Sequence, residues 1–154
     1  MHILFLCTGN ACRSQMAEAL ANQIYPQHDF YSAGIETHGL NPLAIKVCNE
    51  LGLDLSKHTS KHINTLKTIT FDLVVTVCDH AHEQCPIFIS SAQRVHHSFP
   101  DPPKLVKQEQ TSKGKLTTET ELNIYREVRD LIKDWLEKDF SNILHDITDK
   151  INPS

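Results

Sequence analysis

The 154-residue chain has no surplus of positive charge, no apolar run of membrane-spanning length and no even set of cysteines. Fifteen Lys and Arg against 19 Asp and Glu give a formal net charge of −4, which is the wrong sign for a strongly basic nucleic-acid surface. No stretch approaches the roughly 20 consecutive apolar residues that a transmembrane helix needs. The opening MHILFLC turns polar at TGN, too short for the apolar centre of a secretory signal. Without such a signal, an odd count of five cysteines argues against a disulfide-stapled scaffold. What remains is an ordinary globular composition, 40% hydrophobic and 22% charged, at a length that suits one domain. Five Cys and ten His stand out within it. The cysteines point to thiol chemistry in a reducing compartment, the cytoplasm.

The hydrophobic pattern alternates between strands and helices. His2 to Leu6 reads as a short buried strand. Ala17, Leu20, Ala21 and Ile24 fall on one helical face after Ser14, and Pro26 ends that helix. Phe30 to Ile35 reads as a second strand. Asn41-Pro42 starts a helix whose face carries Ala44, Val47, Cys48 and Leu51. His58 to Thr68 suggests a shorter helix, Asp72 to Val77 a central parallel strand, and Arg94 to Phe99 the last strand. The polar segment 104–124 reads as an extended loop before a helix marked by Tyr125, Val128, Ile132 and Trp135. The domain is expected to span 1–139, with 140–154 a C-terminal appendage, helical or frayed. Such alternation implies a mostly parallel, helix-flanked sheet with its ligand beyond the carboxyl ends of the strands. Cys7, Cys78 and Asp101 all fall just past expected strands.

The segment Cys7-Thr8-Gly9-Asn10-Ala11-Cys12-Arg13-Ser14 joins the first strand to the first helix. A loop of this length can turn successive N–H groups inward as an anion-binding nest, reinforced by the helix N-terminus. The same dipoles would favour Cys7 as a thiolate. Arg13 offers a planar fork for two oxygens of a tetrahedral oxyanion, and Ser14 can donate to the sulfur. Gly9 and Asn10 supply tight or left-handed backbone. A Cys and an Arg at this spacing also arise by chance. The flanking strand, the helix and the Gly-Asn pair favour the functional reading.

The run CTGNACRSQMAEA resembles the signature of the low-molecular-weight tyrosine phosphatase fold, in particular its thioredoxin-coupled arsenate reductase branch. The resemblance extends through YSAGIETHGLNP at 31–42, HTS at 58–60, DLVVTVC at 72–78 and the Asp101-Pro102 loop, and resumes weakly at YREVRDLI. It implies a three-layer α/β fold with a four-stranded parallel sheet flanked by helices. It implies an oxyanion loop from Thr8 to Ser14, with Cys7 as nucleophile, Arg13 as oxyanion ligand and Asp101 as general acid. Asp before Pro is also a common turn signal. The branch further implies a relay in which Cys78 attacks Cys7 and Cys85 attacks Cys78. Thioredoxin then reduces the Cys78–Cys85 disulfide. For this chain the expectation is a cytoplasmic monomer with no cofactor and no catalytic metal, binding neither nucleic acid nor membrane. Seven positions along a helix span about 10 Å, whereas a disulfide needs Cα atoms within roughly 7 Å. Residues 79–84 are therefore expected to unwind on oxidation.

Cys12 reads as loop structure or protective redox chemistry, and Cys48 as a small buried hydrophobe. A rival reading makes Cys78, His80, His82 and Cys85, with His96 or His97, a zinc site, although the spacing C-x-H-x-H-x2-C is unfamiliar. The branch often carries a monovalent-cation site beneath the loop. Asn10, Glu18 and Ser32 match it, but Lys61 stands where an Asp is expected and would pair with Glu18 instead. His97 replaces an expected aromatic. Two other activities remain open: a tyrosine phosphatase, for which Cys7, Arg13 and Asp101 suffice, and a thiol sensor without turnover. Pro103, Lys104 and Leu105 offer no ring to stack on a phosphotyrosine.

Overall fold

The computed structural model describes residues 1–85 and 91–153. Its centre is the strand β1 (His2–Cys7), in which Ile3, Leu4, Phe5 and Leu6 have no solvent exposure. A strand buried on both faces must have neighbours on both edges and layers above and below. β1 pairs in parallel with β2 (Asp29–Gly34) on one side and β3 (Leu73–Thr76) on the other, and β4 (Gln93–His96) closes the sheet beside β3. The order is β2-β1-β3-β4, so the chain changes direction across the sheet between β1's two neighbours. A crevice opens there at the carboxyl ends. Cys7 ends β1, Gly34 ends β2 and Cys78 lies just past β3. The four-stranded parallel α/β fold matches the expectation.

Helices cover both faces. α1 (Arg13–Ile24) buries Met16, Ala17, Leu20 and Ala21. α2 (Pro42–Asn49) starts where expected, with the Asn41 side chain accepting from the N–H groups of Leu43 and Ala44 and Pro42 in the first turn. The 58–68 region forms only a single 3-10 turn, Ile63–Leu66. A short helix α3 (Asp79–Glu83) follows Cys78.

The expected loop at 104–124 is a helical hairpin. α4 (Pro102–Lys113) and α5 (Thr118–Glu137) are joined across Gly114, whose φ of 80° only glycine adopts without strain. α4 buries little besides Pro102 and Val106, so its sequence lacks the apolar stripe that announces a helix. Its two leading prolines occupy the first turn, where proline starts helices and does not break them. Past residue 139 the structure takes the helical alternative. α6 (Asp139–Ile151) places Phe140 at zero exposure among Phe5, Phe30, Tyr25 and Trp135, and buries Leu144 and Ile147.

Among the described residues no helix is long and apolar enough to cross a membrane. An ion-pair cluster fastens α2 to α5: Glu50 accepts from Arg126 at 2.6 Å and from Arg129 at 2.8 Å, while Arg129 also donates to the Val47 carbonyl. These guanidinium hydrogen bonds hold the Glu50 carboxyl down at about 2.

Two stability predictions follow from this packing. Phe140→Ala empties a fully enclosed aromatic site and should cost about 3–5 kcal/mol in denaturant unfolding. Because the folded-state value of Glu50 lies below its unfolded value, its contribution is complete above about pH 4.5 and fades as pH falls towards 2. Glu50→Gln should therefore lower the thermal midpoint at neutral pH and flatten its fall over that acid window.

Candidate active site

The β1–α1 connection closes around the Cys7 sulfur. Asn10 takes a left-handed conformation, φ 50°, which turns its N–H back to donate to Cys7 Sγ at 3.2 Å. Ser14 Oγ lies 2.8 Å from the same sulfur and accepts from Asn10 Nδ2 at 2.8 Å. With an N–H already aimed at its lone pair, the serine hydroxyl hydrogen is free to point at Cys7. Two donors thus converge on one buried sulfur, an arrangement that favours negative charge there. Cys12 precedes α1 and makes no side-chain capping bond, so the first-turn N–H groups face the loop's concavity.

That concavity is a cavity of about 280 Å³ walled by Cys7, Thr8, Gly9, Ala11, Cys12, Arg13, His38, Asp101 and Pro103. Arg13 is locked by donating to the Phe99 carbonyl at 3.0 Å, and its second terminal nitrogen lies 3.8 Å from Asp101 Oδ1. Asp101 precedes α4 without capping it through its side chain, which leaves the carboxyl for the cavity. The structure therefore brings Cys7, Arg13 and Asp101 to one pocket, with Ser14 buried against the Cys7 sulfur. Cys78 joins them through Thr8, whose hydroxyl lies 3.3 Å from its sulfur. Cys85 stands past the end of α3, half-buried, and burial raises its thiol pKa against the opposing pull of Arg94.

Cys12 sits in the loop wall at 5% exposure, where burial above all, and then Asp101 and Cys7, push its pKa far up. It is a neutral thiol. Cys48 is fully buried, with burial raising it to about 11, as suits a core hydrophobe. Among the described residues no group of three or more His, Cys, Asp or Glu side chains is arranged to hold a metal ion. His82 and His96 stack ring on ring at 4.3 Å. His97 stacks on Trp135 at 4.9 Å, filling the aromatic's place with an imidazole whose pKa burial lowers.

Several contributors lay outside the sequence motif. Gly34 must lack a side chain, because a Cβ would meet the backbone atoms Thr8 O at 2.7 Å and Asn10 N at 2.8 Å. Gly9 is covered by the His38 ring, itself paired with Glu36 at 2.7 Å. Gln15 donates to Asn10 Oδ1 at 2.9 Å, Ser60 Oγ to the Gly9 carbonyl and the Lys61 N–H to Asn10 Oδ1. Only spatial contact reveals this support, since 58–61 is far from the loop in sequence.

The expected Glu18–Lys61 pair is replaced by a closer one. His58 Nδ1 lies 2.8 Å from Glu18 Oε2 and 2.9 Å from Gln15 Oε1, while Lys61 Nζ donates to the Thr59 carbonyl. Lys61 still feels Glu18, which opposes the lowering of its pKa by burial. A monovalent cation does not fit this donor set. Asn10 Oδ1 already accepts two N–H groups, Glu18 has His58, and an ammonium lies close by; among the described residues only Ser32 Oγ is a buried side-chain atom without a partner.

The family model for low molecular weight phosphotyrosine protein phosphatase matches residues 2–149. The chain belongs to that family. Among its relatives, the arsenate reductase of Halalkalibacterium halodurans is 45% identical over 131 residues, covering 84% of this chain and 88% of that protein. The arsenate reductase of Oceanobacillus iheyensis is 42% identical, covering 86% and 89%. A solved arsenate reductase in the phosphate binding state superposes with a TM-score of 0.72 at 26% identity, over 92% of this chain and 98% of that one. The Erwinia amylovora tyrosine phosphatase AmsI shares the fold, with a TM-score of 0.64 at 19% identity over 89% of each chain.

With Lys61 and His58 beneath the loop, replacing sodium by potassium at constant ionic strength should leave kcat/KM unchanged within about twofold. A specific potassium activation, measured in steady-state assays, would contradict this account of the site.

Proposed function

We propose that this chain reduces arsenate to arsenite in the cytoplasm as a monomer, with Cys7 as nucleophile and Cys78 and Cys85 passing electrons from thioredoxin. The observation that carries the reading is the Thr8 bridge, which ties a second buried thiol, Cys78, to the loop around Cys7. A hydrolytic phosphatase has no use for that thiol. The arsenate reductases at 42% and 45% identity support the same assignment.

The Cys7 thiolate attacks arsenic(V), held by Arg13 and the loop N–H groups. An S–As bond forms as Asp101 protonates the departing oxygen. The Cys78 thiolate then attacks Cys7 Sγ. The S–S bond forms, the S–As bond breaks, and its electron pair stays on arsenic, which leaves as arsenite. Cys85 next displaces Cys7 from Cys78, and a thioredoxin dithiol reduces the Cys78–Cys85 disulfide by exchange. Two electrons pass in all.

The helix α3 lies between the relay cysteines, and a helical segment of that length holds them too far apart for a bond. Formation of the second disulfide therefore requires α3 to unwind. Slow hydrolysis of aryl phosphates is expected as a side activity of Cys7, Arg13 and Asp101. Pro103, which lines the cavity, offers no aromatic face for phosphotyrosine.

In an assay coupling arsenate to thioredoxin, thioredoxin reductase and NADPH, Cys85→Ser should lose turnover by at least about 10²-fold while aryl-phosphate hydrolysis persists. Hydrogen exchange across 79–84 should rise in the oxidised parent protein. Retention of NADPH-coupled turnover in Cys85→Ser would remove the assignment.

A further inference from the structure

The hydroxyl of Thr8 has a second neighbour. Besides Cys78 Sγ at 3.3 Å, it lies 3.2 Å from Nδ1 of His80, the second residue of the segment that separates the relay cysteines. The three groups form a line from sulfur to oxygen to imidazole. Cys78 S–H can donate to Thr8 Oγ1 while Thr8 O–H donates to the unprotonated Nδ1. Proton transfer along this line leaves a thiolate at Cys78 and an imidazolium at His80. His80 is exposed, so the proton can go on to water.

We infer that His80 is the proton acceptor for Cys78, acting through the Thr8 hydroxyl when Cys78 attacks Cys7. His80 touches no reacting sulfur, so it is a positioning residue. This assignment rests on the proposed arsenate reduction. In the step it serves, the Cys78 proton passes to His80, the S–S bond forms, the S–As bond breaks and arsenic keeps the electron pair.

The other titratable groups around His80 are committed elsewhere. On its own helix, Asp79 is ion-paired with His96 of β4 at 2.9 Å and His82 stacks on the same ring. His96 is held in turn by Thr76 of β3 at 2.7 Å. Cys7 at the end of β1 has its own donors in Ser14 and Asn10. The two histidines of α3 thus face different partners, and only His80 reaches the thiol relay.

The test follows the first disulfide alone. In a Cys85→Ser background, oxidation should stop at Cys7–Cys78, and thiol loss after mixing with arsenate can be timed by alkylation and mass spectrometry. Rates are compared between this protein and its His80→Gln form from about pH 5.5 to 9.5, a range that spans ordinary imidazole and thiol titration. Any step before the attack by Cys78 is common to both and cancels in the ratio. The ratio should be several-fold at pH 7, where unassisted thiols are mostly protonated, and fall towards 1 by about pH 9.5, where a thiol ionises without help. A ratio independent of pH would mean that His80 is merely structural and overturn the inference. If the parent protein loses no thiols to arsenate at any pH, the proposed function falls and this assignment with it.

Discussion

The site depends on the conformation of Asn10. Its left-handed backbone turns one N–H onto the Cys7 sulfur, and its side-chain amide fixes the Ser14 hydroxyl so that the serine hydrogen faces that sulfur as well. A non-glycine residue with positive φ is costly unless its surroundings enforce it. Here the enforcement comes from Gln15 and the Lys61 N–H, both donating to Asn10 Oδ1. Gly34 adds to it by letting β2 end against the loop backbone, where any Cβ would press on Asn10 N and Thr8 O. The Cys7 sulfur is therefore enclosed by a loop that the ends of β1 and β2 and the segment 58–61 hold in place together.

This explains what the sequence could and could not disclose. Cys7, Arg13 and Ser14 were legible because the anion loop is local: strand, turn and helix are contiguous, and each residue type has a single plausible use there. Asn41-Pro42 was legible for the same reason, as a cap acts within one turn. The helix α4 was not, since its stability comes from docking on α5 through two buried residues and not from a stripe of its own. Its opening prolines read equally well as a loop until the Asp101 position before them is seen. Phe140 was missed because only the tertiary fold shows that Phe5, Phe30, Tyr25 and Trp135 surround it.

Histidine was the residue type that composition singled out and pattern could not place. The structure gives these rings separate tasks instead of one metal centre. His58 pairs with Glu18 below the loop, His38 roofs Gly9, His97 stacks on the sole tryptophan, and His96 spans Thr76 and Asp79. Every one of those contacts joins residues apart in sequence or set by side-chain direction, which spacing alone does not encode.

The cysteines divide by environment in a way that orders their reactivity. Cys7 has two donors on its sulfur and the open cavity before it. Cys12, only five positions on, lacks such donors and is kept a neutral thiol by burial and by the charges of Asp101 and Cys7. The same loop thus aims two donors at one sulfur and buries its neighbour as a neutral thiol. Cys85 is also kept protonated by burial, and its pKa falls towards that of a free thiol only when the segment around it opens. In the proposed relay that opening is the event which brings it to Cys78. Exposure, ionisation and approach of the last thiol are then one conformational change, and the order of the thiol steps needs no further control.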